Sequence, residues 1–420
     1  MSRSLHVFIN NEQIGTIYEE NAIWGFAYTE AWLSHSDAFA LSLALPLETG
    51  IKWDGATTRP VQWFFDNLLP EENARVLLAK DEKVDAGDIF SLLLAIGAES
   101  AGALTLLSPG EMLPIGAAHP LTAEELNQRI EALPKTPLND KNRKRMSLAG
   151  AQHKMLVIYR DHALAEPSGQ WPSTHILKPE HSQPATYPFT CRNEWFVMKL
   201  AKLCKMNVPE VDVLYVPQAA YVVERFDRAG TYPDLQRLHI LDGCQLLNIP
   251  PADKYKASHV ESLAKMVERC RTKALTQLIL FRWALFNALV GNGDAHMKNL
   301  SFRFERGLVA IMPHYDLLST IIYEERGHHL NAELSQPMGT ARTFAGLRLQ
   351  DLLAFAGGLG IKASLAEREI KTMTGLISKG AAALILQVEA LPLYPGKAGE
   401  LRMLRQIEHL AIHEMIRKIS

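Results

Sequence analysis

Four residues able to handle protons, charge or a metal, Asp294, His296, Lys298 and Asn299, fall within six positions of LVGNGDAHMKNLSF, residues 289–302. The segment follows a long apolar run, and glycines at 291 and 293 permit a tight loop where that run ends. A further acid, Asp316, stands 17 residues past Asn299 in PHYDLLST. An acid flanked by Tyr315 and Leu317 is costly to bury without a partner. Between them LSFRF and LVAIM, separated by the turn ERG, read as a hairpin that returns Asp316 to the side of Asn299.

The chemistry that asks for this set is phosphoryl transfer, in which the protein positions groups and neutralises charge. Asp294 can take a proton from an attacking hydroxyl, and Asn299 and Asp316 can hold Mg²⁺. The five-residue interval from Asp294 to Asn299 is that between catalytic Asp and metal-binding Asn in protein kinases. His296 can orient the loop or contact a phosphate, and Lys298 can neutralise the moving phosphoryl group. Taken singly, Asp294 and Asn299 are also ordinary turn residues, His296 a structural histidine and Lys298 a solvated loop lysine.

The nucleotide side is carried by other segments. Lys178 ends the strand of HILKP, where a charge is favoured only if something anionic meets it, and it is assigned to the ATP phosphates. Glu194, at a helix start, can pair with it or act as a plain cap. In VVERFDR, Glu224, Arg225 and Phe226 suit a hinge past the adenine, with backbone groups bonding the base and Phe226 packing on it. SLAGAQHK precedes a strand and stands where a phosphate-covering loop belongs; its residues are Ser147, Ala149, Gly150, Ala151, Gln152, His153 and Lys154. With one glycine it is a poor match to GxGxxG or a Walker A loop.

The elements that must place these groups follow from periodicity. Residues 1–110 read as a small α+β unit, with a hairpin in LHVFINNEQIGTIY, strand character over 38–47, and helical spacing over 61–80 and 88–104. A linker over 111–145 holds one short helix, opened by Thr122 and Glu125 as a capping box. The run Lys141, Arg143, Lys144 and Arg145 leads into a β-rich ATP-binding lobe over 146–245, and residues 246–420 form a helical catalytic lobe. The fold class expected is α+β, a two-lobed protein-kinase-like fold with a small N-terminal α+β domain and an all-helical C-terminal lobe.

Composition fits a packed globular chain, with 420 residues, 47% hydrophobic and 21% charged. A net charge of −2 argues against a generally basic, nucleic-acid-coating surface. The four cysteines, at 191, 204, 244 and 270, form no CxxC pair and read as reduced core thiols of a cytoplasmic protein. The N-terminus lacks a signal-peptide run, and LTQLILFRWALFNALVG carries Gln277, Arg282 and Asn287, so no membrane association is expected.

Nearly the whole chain resembles the HipA family, bacterial serine/threonine kinases that serve as toxins of toxin–antitoxin pairs. The resemblance rests on WFFDNLLPE, GAESAGAL, SLAGAQHK, HILKP, VERFDR, GNGDAHMKNLSF and YDLLS. It implies Asp294 as catalytic base, Asn299 and Asp316 as metal ligands, Lys178 on ATP, and Ser147 as an autophosphorylation site that inactivates the kinase. Two negative charges appearing beside Lys154 and the 143–145 basic run would reorganise that loop. The resemblance further implies a small helix-turn-helix antitoxin as partner, DNA contact through it, and a protein substrate in translation such as an aminoacyl-tRNA synthetase. His153, where an acid is common, and the wording GAES depart from the family pattern. The competing readings are a small-molecule phosphotransferase of the aminoglycoside or choline kinase type and a pseudokinase acting as co-repressor.

Overall fold

A computed structural model describes residues 2–138, 148–150, 152–325 and 327–420, arranged as mixed α/β in two compact units. The first comprises Met1–Ser182, Leu214–Pro251 and Phe302–Val309; the second comprises Gln183–Val213, Ala252–Ser301 and Ala310–Ser420.

In the first unit the N-terminal alternation becomes an antiparallel sheet. Its strands are β1 (Arg3–Ile9), β2 (Glu12–Glu20), β3 (Ile23–Tyr28), β4 (Lys52–Trp53) and β5 (Leu104–Leu107), in the order β4-β3-β2-β1-β5. Asn10, at φ 52°, makes the first turn in the left-handed region that asparagine tolerates. Leu5, Val7, Ile14, Ile17 and Phe26 are buried, and Phe26 meets Phe65 of the helix Pro60–Asp66. The strand expected over 38–47 does not form; only Ser42 and Leu45 bridge there. Instead the Tyr28 hydroxyl accepts from the Leu41 amide (2.7 Å) and donates to the Leu45 carbonyl (2.6 Å). The apolar residues Leu41 and Leu45 are thus buried from a loop closed by one side chain.

A second sheet holds β6 (Ala118–Pro120), β7 (Met155–Arg160), β8 (Ala163–Pro167), β9 (His175–Pro179), β10 (Val211–Tyr215) and β11 (Ala219–Glu224), ordered β10-β11-β9-β7-β8-β6. Met155, Val157, Leu177, Ala220 and Val222 line one face and pack on Leu126 and Ile130 of the helix Ala123–Glu131. Thr122 caps that helix by accepting from the Glu125 amide at 3.1 Å, while the Glu125 carboxylate pairs with Arg129. Burying this face supplies most of the driving force for the sheet.

The second unit is built round the helix Lys273–Val290, long and apolar enough to cross a membrane but mostly buried in protein. Its arginine, Arg282, is satisfied by the Cys204 carbonyl (2.6 Å) and Glu369 (3.1 Å). Around it lie the helices Thr190–Leu203, Val260–Arg269, Leu349–Gly358 and Ala363–Ala390. Residues 246–420 are not all helical, however, since Ser301–Glu305, Leu308–Ile311, Glu333–Met338 and Ala341–Thr343 are strands. ELSQPM alternates in burial, as a strand with one inward face must, and Gly339 at φ 52° turns it into Ala341–Thr343.

The long helix ends at Gly291, φ 72°, in the left-handed conformation that costs an L-residue about 1–2 kcal/mol. A Cβ there would also overlap the Ile321 side chain. Gly291→Ala is therefore expected to lower unfolding free energy by about 2 kcal/mol, read by urea titration. An unchanged midpoint would show that the turn does not need glycine.

Candidate active site

The candidate residues fall into two groups, one in each unit. In the second unit the loop after the long helix is fixed by a ladder of side-chain amides. Asn287 donates to the Trp283 carbonyl (2.9 Å), Asn292 donates to Asn287 Oδ1 (2.9 Å), and the Asp294 amide donates to Asn292 Oδ1 (3.0 Å). Asn299 closes the loop by donating from Nδ2 to the Asp294 carbonyl at 2.9 Å, so its amide oxygen points away from that bond. The His296 amide donates to the same carbonyl (2.9 Å) and the Asn299 amide to the His296 carbonyl (2.9 Å). His296 and Lys298 are both buried, so the solvated-lysine reading of Lys298 does not hold.

The segment carrying Asp316 is clamped to this loop on both sides. On one side the Tyr315 hydroxyl donates to the Lys298 carbonyl (2.6 Å) and lies 2.9 Å from Ser301 Oγ. On the other, Thr320 Oγ1 accepts from the Gly293 amide (2.8 Å), and the amides of Thr320 and Ile321 donate to the Gly291 carbonyl (2.9 and 3.1 Å). The strands Ser301–Glu305 and Leu308–Ile311 are neighbours with positive φ at Arg306 and Gly307, giving the expected hairpin between Asn299 and Asp316. Asp316 itself sits at φ 58°, a conformation that persists in a non-glycine residue only when its surroundings impose it. Fully buried Asn193 helps impose it, donating to the Ser319 carbonyl (2.8 Å) and accepting from the Ser319 amide (2.9 Å).

Tyr255 was not singled out by its sequence context, yet its hydroxyl donates to Asp294 Oδ1 at 2.5 Å and its ring stands edge-on to His296. Tyr315, Thr320, Asn193 and Asn292 were missed likewise. Each is an ordinary residue in sequence; Tyr255, Tyr315, Thr320 and Asn193 take their roles from partners 17 to 126 residues away, and Asn292 from nearby Asn287 and Asp294.

In the first unit Lys178 is buried on β9, opposite Tyr221 of β11, with Nζ 5.7 Å from that ring. The loop before β7 is held from below. Pro70 bridges to Gly150, the Glu71 amide donates to the Gly150 carbonyl (3.2 Å), and Lys154 Nζ donates to the Ala149 carbonyl (2.6 Å). Gln152 donates to the Pro179 carbonyl (3.4 Å), and burial, with His181 nearby, holds His153 below the usual imidazole range. Ser147, Ala151, Lys141, Arg143, Lys144 and Arg145 lie outside the described residues.

At the end of β11, Glu224 is exposed and Phe226 half-buried, but the Arg225 side chain is withdrawn from any ligand. Its guanidinium pairs with Asp227 (2.6 Å) and Glu99 (3.2 Å), and its amide donates to the Thr174 carbonyl (2.9 Å). Glu99 also takes Arg228 (2.8 Å) and Ser173 (3.0 Å), so GAES and VERFDR form one buried ionic cluster. Arg237 joins through the Leu104 carbonyl (2.7 Å), and burial pushes its guanidinium down to about 9. Burial opposes the charge on Asp227, but Arg225 and Arg228 beside it hold its carboxyl well below the usual range.

Comparison with known proteins accords with this organisation. The chain matches the HipA N-terminal domain over residues 5–107 and the HipA-like C-terminal domain over residues 146–381. It is 32% identical to the serine/threonine-protein kinase toxin HipA of Shewanella oneidensis, covering 92% of this chain and 90% of that protein. Y4mE of Sinorhizobium fredii is 33% identical, with 91% and 92% covered. The solved structure of Shewanella oneidensis HipA, in complex with HipB and its operator DNA, superposes with a TM-score of 0.80 at 29% identity over 99% of this chain and all of that one. The class so defined is that of the kinase toxins of toxin–antitoxin systems. This chain belongs to the HipA family.

Removing one member of a buried ion cluster strands its partners, at a typical cost of about 3–5 kcal/mol. Glu99→Ala is expected to destabilise by about that amount in urea titration, whereas Glu268→Ala, at the exposed pair with Lys273, should shift the midpoint little. A small effect of the Glu99 change would mean that the cluster is not what fixes the end of β11.

Proposed function

We propose that this chain is an ATP-dependent serine/threonine protein kinase, the toxin of a toxin–antitoxin pair, with Asp294 as the base that takes the acceptor hydroxyl's proton. The observation that carries this reading is the double clamp, Tyr315 to Lys298 and Thr320 to Gly293, with Asp294 and Asp316 between its jaws and Asn299 next to Lys298. Three oxygen-bearing side chains fixed on two fastened segments suit a reaction whose demand is placement.

Asn299 and Asp316 would hold Mg²⁺. Their donors are an amide oxygen and a carboxylate, hard oxygens of the kind that ion takes. Among the described residues no three of His, Cys, Asp and Glu cluster as ligands, which fits a cation that retains water and uses nucleotide phosphates rather than an all-protein cage. When bound, magnesium neutralises phosphate charge. Lys178 would meet the α and β phosphates, for a buried ammonium suits an anionic ligand. Buried Lys298 would counter charge on the moving group and His296 would steady the loop. The loop from Ala149 to Lys154, small only at residues 149–151, would cover the phosphates, and the backbone of Glu224, Arg225 and Phe226 would meet the adenine.

Ser147 is the proposed autophosphorylation site, and a protein of the translation machinery the proposed external substrate. A helix-turn-helix antitoxin is the proposed partner, supported by the HipB and operator DNA present with Shewanella oneidensis HipA, and DNA contact would run through it. The proposed compartment is the cytoplasm.

Incubation with labelled ATP, alone and with cell extract, tests the reading. Label is expected on the chain itself and on an extract protein, and Asp294→Asn is expected to cut incorporation by about 10²–10⁴-fold, the range of general-base contributions. Undiminished incorporation in that variant contradicts the role of Asp294, and label confined to small metabolites contradicts a protein kinase.

A further inference from the structure

The segment PPADKYKAS, residues 250–258, enters none of the roles above, yet it is fastened to the candidate catalytic loop. The Met297 amide donates to Ser258 Oγ (3.1 Å), and Ser258 Oγ donates to the Lys254 carbonyl (2.8 Å). Both attachments grip backbone, so the position of Tyr255 is set by the turn and not by the chance fold of a surface side chain. Half of the ring is exposed while its hydroxyl sits on Asp294 Oδ1 at 2.5 Å, in the short range of an O–H donor on a carboxylate. The edge-on contact with His296 holds the ring at that angle. A half-exposed tyrosine adds little to a core, and ordering it over an acid costs side-chain entropy. Its hydroxyl is, however, the same kind of donor as the serine or threonine that a kinase base must receive.

We propose that Tyr255 is a positioning residue that gates the acceptor: its phenol holds the acceptor hydroxyl's place on Asp294 and yields it to the incoming serine or threonine. The inference rests on the proposed role of Asp294 as base. Its consequence is that water is kept off that carboxylate between turnovers. The side reaction so suppressed is hydrolysis, in which a water oxygen bonds to the γ-phosphorus, the bond to the ADP oxygen breaks, and the water proton passes to Asp294, leaving ADP and inorganic phosphate.

Phosphate release from Mg-ATP by the full chain, with no protein acceptor added, measures that reaction directly. Tyr255→Phe keeps the ring and removes the donor, and Tyr255→Leu removes both. Each is expected to raise the hydrolysis rate by roughly tenfold, the size of a hydrogen bond to a charged group, with KM for ATP and the thermal midpoint unchanged. A structural tyrosine would instead lower both rate and midpoint. Failure of either variant to hydrolyse faster than the parent overturns the proposal, as does a change confined to KM for ATP. Asp294→Asn separates the two readings. If it hydrolyses at the parental rate, the base assignment fails; if it is silent while Tyr255→Phe matches the parent, only the gate fails.

Discussion

Two hydroxyl groups set the geometry of the second unit's candidate site. Those of Tyr315 and Thr320 reach across from one segment to the backbone of another, and Asp316 is carried between them. Backbone groups bonded away from bulk water are costly to leave unpaired, so each hydroxyl fixes a register and not merely a contact. The left-handed backbone of Asp316 is the visible result. It is held by Asn193 gripping both backbone polar groups of Ser319, three residues on. On the opposite segment the amides of Asn287 and Asn292 hand the direction of the long helix to Asp294.

The first unit solves a parallel problem with charge. Arg225, Arg228 and Arg237 face two carboxylates, Glu99 and Asp227, and further donors end on the carbonyls of Gly102 and Leu104 and the hydroxyls of Ser173 and Thr105. Such a cluster is poor evidence of stability in itself, because desolvation offsets most of the attraction. What it does is join the end of β11 to a segment more than 120 residues earlier, since Asp227 also accepts from the Gly102 amide at 2.7 Å. A strand end so fixed can present the backbone on either side of Arg225 in one conformation.

Much of the second unit's candidate site was legible because its residues are close in sequence. The intervals among Asp294, Asn299 and Asp316, and the hairpin between the last two, needed only spacing and alternation. The clamps were not legible, because a tyrosine beside an aspartate or a threonine at the end of YDLLST has no local property that reveals a partner some 17 to 27 residues away. The buried pairing of the Arg225 side chain was not legible either, because its partner Glu99 lies 126 residues earlier in the chain. The 38–47 stretch was read as a strand because apolar residues buried from a loop look the same in sequence. The hairpin after residue 300 was legible, but the short strands Glu333–Met338 and Ala341–Thr343, set among helical segments, were not.

The central claim is that Asn299 and Asp316 meet at one cation. A double-mutant cycle on Mn²⁺ binding in the presence of ATP, followed by electron paramagnetic resonance in the parent, Asn299→Ala, Asp316→Ala and the double variant, tests it most directly. Two ligands of a shared ion give effects that fail to add, by about 1 kcal/mol or more. Strict additivity, or undiminished Mn²⁺ affinity in Asp316→Ala, would place the two side chains at separate tasks and contradict the claim.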